Sequence, residues 1–147
     1  MAEKKMQSYI DAAQNGQLSM KFNSGDVSVN AEEFVYIDRD CQAMKDKIRE
    51  LQRIAQSIAK RDVWGLGDRS DWLLTAPMLV GRFRSKADGA KDGNDVNAIL
   101  QKHFDIIEGI QELHKQIALR YVEADTTFAA RYNELMASLP QGFQVAK

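Results

Sequence analysis

The sequence predicts an all-α fold: an antiparallel helical hairpin with an interrupted second arm, preceded by a short helix and an extended segment. Three observations lead there. Two long stretches carry apolar residues at steps of three and four, the period of a helix with one buried stripe. Between these stretches stand both tryptophans of the chain, beside closely spaced glycines that permit a reversal. Two prolines, 44% apolar and 28% charged residues make a composition suited to helices. A three-helix bundle with a real turn at residues 89–93 is the alternative topology.

Residues 1–30 form the predicted extension. Lys4–Asn15 carries Met6, Tyr9, Ile10 and Ala13 at helical spacing, and Asn15-Gly16 is a stop signal. So short a helix is marginal alone and must dock on something. Leu18, Met20 and Phe22 then alternate with polar residues, as do Val27 and Val29, around the turn-like Asn23–Asp26. A small hairpin and an extended segment lying on the helices both fit.

Residues 31–139 form the predicted helical-hairpin domain. Asn30 is a favourable N-cap, with Glu33 placed to complete a capping box. Phe34, Ile37, Cys41, Met44, Ile48, Leu51, Ala55 and Ile58 follow in a coiled-coil-like repeat. This first arm spans about 45 Å at the helical rise. Its other faces carry charges of both signs, and Cys41, on the apolar seam, is expected to be buried and inert.

The pattern stops after Lys60, at Trp64-Gly65-Leu66-Gly67 and Trp72-Leu73-Leu74. Thr75 is the expected cap of a short helix, because Pro77 is tolerated in a first turn, and Met78, Leu79, Phe83 and Ala87 give its apolar side. After a break at residues 88–93, Asn94 or Asp95 is expected to cap one long helix reaching Ser138. Its seam runs Val96, Ile99, Ile106, Ile110, Leu113, Ile117, Tyr121, Ala124, Phe128, Tyr132 and Leu135, passing through His103. This helix would reach roughly 65 Å, beyond the end of the first arm. The seam residues Ile110, Leu113, Ile117, Phe128, Tyr132 and Leu135 are therefore expected to meet the N-terminal segment or a second chain. Residues 140–147 are expected to be a loose tail.

Several function classes lose their footing. A net charge of −1 and a pI near 6.1 give no electrostatic case for nucleic acid, and the local cluster Arg82, Arg84, Lys86 and Lys91 is interrupted by Asp88, Asp92 and Asp95. No apolar run has membrane-spanning length, and the narrow seam with mixed charge opposite argues against lying on a membrane. One cysteine supports neither a disulfide framework nor a metal cluster. His103 and His114 are about 16 Å apart along one helix, too far to ligate one metal. No phosphate loop, nucleophile elbow or Cys-x-x-Cys occurs. No catalytic residue, metal or cofactor is expected.

At Trp64-Gly65-Leu66-Gly67 and Tyr121-Val122-Glu123-Ala124-Asp125 the chain resembles the Trp-Xaa-Gly helical-hairpin proteins of type VII (ESX) secretion. Phe83–Gly89, followed by a long helix to Tyr121, resembles actinobacterial members of that group. Glycine stands one and three places after Trp64 rather than two, and Trp72 is the alternative bend aromatic. Tyr36–Asp40 also fits Tyr-x-x-x-Asp, but Tyr121 alone lies beyond the bend, near the end of the last helix.

The resemblance implies a non-enzymatic protein that pairs with itself or a paralogous hairpin as a four-helix bundle. It implies that Tyr121 and Asp125, with the bend (Trp64, Gly65, Gly67, Trp72), form an export signal read by the secretion ATPase. The chain would then be cytoplasmic before export and secreted or surface-bound afterwards, without a cleaved signal peptide. The alternative expectation is a cytosolic adaptor or chaperone that covers an amphipathic helix of an effector or toxin.

Overall fold

The computed structural model describes residues 2–15, 17 and 29–139. Among them the chain is all-helical, as the seam pattern predicts: α1 (Ala2–Gln14), α2 (Ala31–Ala59), α3 (Thr75–Ala87), α4 (Val96–Ala124) and α5 (Thr126–Ser138). The expected hairpin or extended segment falls largely on residues 18–28, and the tail on 140–147, both outside the described residues. The chain divides into two compact units, Met1–Lys45 with Asp105–Lys147, and Asp46–Phe104. The boundary falls within α2 and α4, so each of these helices contributes to both units.

Polar side chains set most of the helix starts. Asn30 accepts the Glu32 amide at 2.9 Å at the head of α2, as its sequence position predicts. Asp95 caps α4 by accepting the Ala98 amide at 2.8 Å. Thr75, expected to cap α3, is instead its first helical residue. The cap position belongs to Leu74, which has helical backbone angles and offers no side-chain acceptor. The expected continuous helix from residue 96 to 138 is also corrected. It ends at Ala124, and Asp125, extended at φ −135° and ψ 113°, starts α5.

The first unit is built from α1, the N-terminal half of α2, the C-terminal half of α4, and α5. Ile10, Ala13, Ala31, Val35, Ala118 and Phe128 are buried in it. Gln111 donates to the Asp38 carboxylate at 2.8 Å, Lys45 pairs with Glu108 at 3.9 Å, and Arg131 bridges Glu32 and Glu134. Low residue numbers of α2 thus meet high numbers of α4 and α5.

In the second unit Ile48, Ala55, Ala76, Val80 and Ala87 are buried, together with two polar residues, Gln52 and Asp95. Gln52 is fully engaged: its amide nitrogen donates to the Asn97 carbonyl and to Gln101, and its oxygen accepts from Arg49 at 2.8 Å. A buried amide is tolerated when its polar atoms are satisfied. The buried stripe of α2 is therefore rotated from the predicted seam. It passes through Val35, Ile48, Gln52 and Ala55, and leaves Met44, Leu51 and Ile58 exposed.

Candidate helix-association face and motif residues

Tyr121 and Asp125 both lie in the first unit, Tyr121 in the last turn of α4 and Asp125 at the break before α5, where its amide donates to the Tyr121 carbonyl at 2.9 Å. Tyr121 is half-buried in an aromatic cluster, with ring centroids 6.1 Å from Phe34 and 5.5 Å from Phe128. Phe34 meets Phe128 edge-on at 5.9 Å, a favoured aromatic geometry. Asp125 is exposed, and its Oδ1 accepts the amides of Thr127 at 2.8 Å and Phe128 at 3.1 Å. The sequence holds a signal for this break: an aspartate followed by two β-branched threonines is a better helix start than a helix interior. The uninterrupted apolar periodicity masks it.

The remaining seam residues also belong to this unit. Ile110, Leu113 and Ile117 are half-buried on α4; Phe128 is buried and Tyr132 and Leu135 half-buried on α5. Tyr132 stacks on Phe128 at 5.8 Å, and burial, then the nearby Asp38 charge, raises its hydroxyl pKa above the ordinary tyrosine value. Cys41 is half-buried rather than fully enclosed, and burial followed by Asp38 raises its thiol pKa. His114 Nδ1 lies 2.9 Å from the Ile110 carbonyl, which can only accept, so the proton sits on that nitrogen. Among the described residues no group of His, Cys, Asp and Glu is placed to hold a metal ion.

The bend residues lie in the second unit, and the two tryptophans part company there. Trp64 is half-buried, stacks on Phe83 of α3 at 5.8 Å with planes 20° apart, and donates its indole N–H to the Arg61 carbonyl at 3.1 Å. Trp72 is 81% exposed. Gly65 and Gly67 take φ of +72° and +82°, the left-handed region that favours glycine. Asp68 holds this reversal by accepting the amides of Trp64 and Leu66, each at 3.2 Å. The Trp64 amide, foremost, lowers its carboxyl pKa. Arg84 reaches back from α3 to the carbonyls of Arg61 and Asp62, both at 2.8 Å. Asp68 does not stand out in the sequence as a motif residue, and Arg84 figures there only in the interrupted basic cluster and in the Phe83–Gly89 segment, not as a partner of the bend. Asp68 had one clue, its place directly after Trp-Gly-Leu-Gly.

The second unit also exposes a set of large apolar side chains. Leu66, Trp72, Leu74, Met78, Leu79 and Phe83 on the bend and α3 are all at least two-fifths exposed, as are Leu51, Ile54 and Ile58 on α2. Met78 and Leu79 line two adjoining hollows of about 580 and 440 Å³, both with Arg82 at the wall. Clustered exposed apolar groups of this kind mark association surfaces.

Comparison of the chain with protein-family models, with curated proteins and with solved structures finds no match. Among the described residues no helix is long and apolar enough to cross a membrane.

Proposed function

We propose that the chain is a non-enzymatic protein that works by helix–helix association, as a substrate or partner of a type VII secretion system. The observation that carries the association is the apolar surface of the bend and α3, where Trp72 and Leu74 are 81% and 79% exposed. Burying such side chains is worth roughly 1.5–3 kcal/mol each, so a few of them suffice for a specific contact. In this reading α2 and α4 are the arms of a helical hairpin, and the partner is a second copy or a paralogous hairpin. The secretion context rests on the resemblance at Trp64–Gly67 and Tyr121–Asp125. The route is export without a cleaved signal, from a cytoplasmic pool that the secretion ATPase engages.

Asp125 must be tested in a way that separates charge from capping, because its carboxylate holds the start of α5. Asp125→Asn keeps a good N-cap and removes the charge, and Tyr121→Phe keeps the ring and removes the hydroxyl. The full-length variants are followed in culture filtrate and cell pellet of a host carrying the secretion system. Loss of either variant from the filtrate, with normal cellular amount and helicity, is the expected result. Export of both at the parental level overturns the signal. A parental chain found only in the pellet, bound one-to-one to an effector's amphipathic helix, replaces this reading with a cytosolic adaptor.

A further inference from the structure

Ala76, Val80 and Ala87 mark the inner side of α3, where all three are buried. At about 100° per residue, Met78, Leu79 and Arg82 fall on the opposite side. These three residues line both hollows of the second unit. Met78 is 63% exposed and Leu79 44%. The outer face of α3 is thus apolar at its centre, with one guanidinium set beside the hollows.

Charge is sorted along this face. α3 contains no acidic residue, and its basic ones, Arg82, Arg84 and Lys86, all lie in its second half. Arg84 and Lys86 are engaged, Arg84 with the Arg61 and Asp62 carbonyls and Lys86 with the Asn94 carbonyl at 2.9 Å. Arg82 is exposed and makes no hydrogen bond or ion pair among the described residues. The same holds for Asp71, exposed just before the helix. An unpaired carboxylate therefore precedes the apolar centre and an unpaired guanidinium follows it.

We propose that this face pairs with itself: two copies of the chain associate through α3, antiparallel, about a two-fold axis between Met78 and Leu79. This rests on the association reading of the face given above and narrows its partner to a second copy. Antiparallel packing sets the second half of each α3 against the first half of the other. Met78 and Leu79 then meet their own counterparts, and Arg82 lies opposite Thr75 of the other copy, one turn from that copy's Asp71. The two-fold axis makes the Asp71–Arg82 contact twice. Parallel packing would instead set Arg82 against Arg82 and Asp71 against Asp71, repulsive at both ends. The surface is large enough. Leu66, Trp72, Leu74, Met78, Leu79 and Phe83, 43–81% exposed, offer together on the order of 700 Å², close to the roughly 800 Å² per partner of a standard interface.

Sedimentation equilibrium of the full chain tests the pairing, with a dissociation constant on the order of 10 µM expected. Asp71→Arg and Arg82→Asp should each weaken the dimer about tenfold, and the chain carrying both should return to within about threefold of the parent. Only antiparallel pairing predicts that rescue on a single chain. Met78→Glu should leave a monomer. Circular dichroism of every variant should match the parent, since all three positions are exposed. A parent that is monomeric at about 200 µM overturns the self-pairing and leaves the face to a paralogous hairpin. A dimer that Met78→Glu does not dissociate overturns the self-pairing and the association reading of this face together. A dimer that Met78→Glu dissociates but the double charge exchange does not rescue overturns the antiparallel pair alone.

Discussion

The Asp125 carboxylate accepts the Phe128 backbone amide at 3.1 Å, and the Phe128 ring lies 5.5 Å from that of Tyr121. One residue therefore starts α5 and aims its first aromatic side chain into the cluster around Phe34. The cap and the cluster are linked: tilting α5 moves Phe128, which touches Phe34, Tyr121 and Tyr132.

Asp125→Ala should lower stability by about 1 kcal/mol, whereas Asp125→Asn should be close to neutral. In a chain of this size the alanine variant loses roughly 2–4 °C in Tm. Thermal unfolding followed by circular dichroism distinguishes the two. Equal losses would mean that the negative charge, rather than the cap, stabilises α5.

The two tryptophans should respond differently. Trp64→Ala removes a ring stacked on Phe83 and an indole hydrogen bond, and should cost about 2–4 kcal/mol. Trp72→Ala should change stability by less than about 0.5 kcal/mol, since its ring is almost entirely in solvent. Acrylamide quenching of single-tryptophan proteins provides an independent check, with Trp72 quenched the more strongly.

The bend glycines should also separate. Gly65→Ala meets open space and bears only the strain of a left-handed backbone, about 1–2 kcal/mol. Gly67→Ala bears the same strain and places a methyl group 2.6 Å from Leu73 Cδ1. The half-buried Leu73 side chain can swing its terminal methyl aside, so the loss should exceed that of Gly65→Ala by less than about 1 kcal/mol, read from urea unfolding midpoints at equal m.

Acid should weaken the second unit through Asp95. The Ala98 amide foremost, then the amides of Ala90 and Gly89, hold its carboxyl pKa below the ordinary aspartate value of 3.8. The depressed pKa fixes the sign: the stabilisation is present above pH 3.8 and is lost as pH falls through the lower folded value. Asp95→Asn should therefore be less stable than the parent at neutral pH, and the gap should narrow in acid. Tm measured from pH 7 down to about 2 gives both slopes. A constant gap would exclude this carboxylate as a source of acid sensitivity.

The sequence by itself determined that long helices form, that Asn30 starts α2, and that the chain turns around Gly65, Gly67 and residues 88–93. These features rest on local physics: apolar periodicity, a side-chain oxygen before a helical run, and glycine's access to positive φ. Only the tertiary structure decided which stripe of α2 is buried. Apolar residues occupy more than one stripe of that helix, and Gln52 takes an interior place because the Asn97 carbonyl and the Gln101 and Arg49 side chains satisfy it. The break at Asp125 was hidden for a related reason. Steps of three and four continue from Tyr121 to Phe128 whether or not the backbone stays helical, so periodicity alone does not register a cap. Which tryptophan packs depends on Phe83, a residue distant in sequence, and no local pattern contains that information.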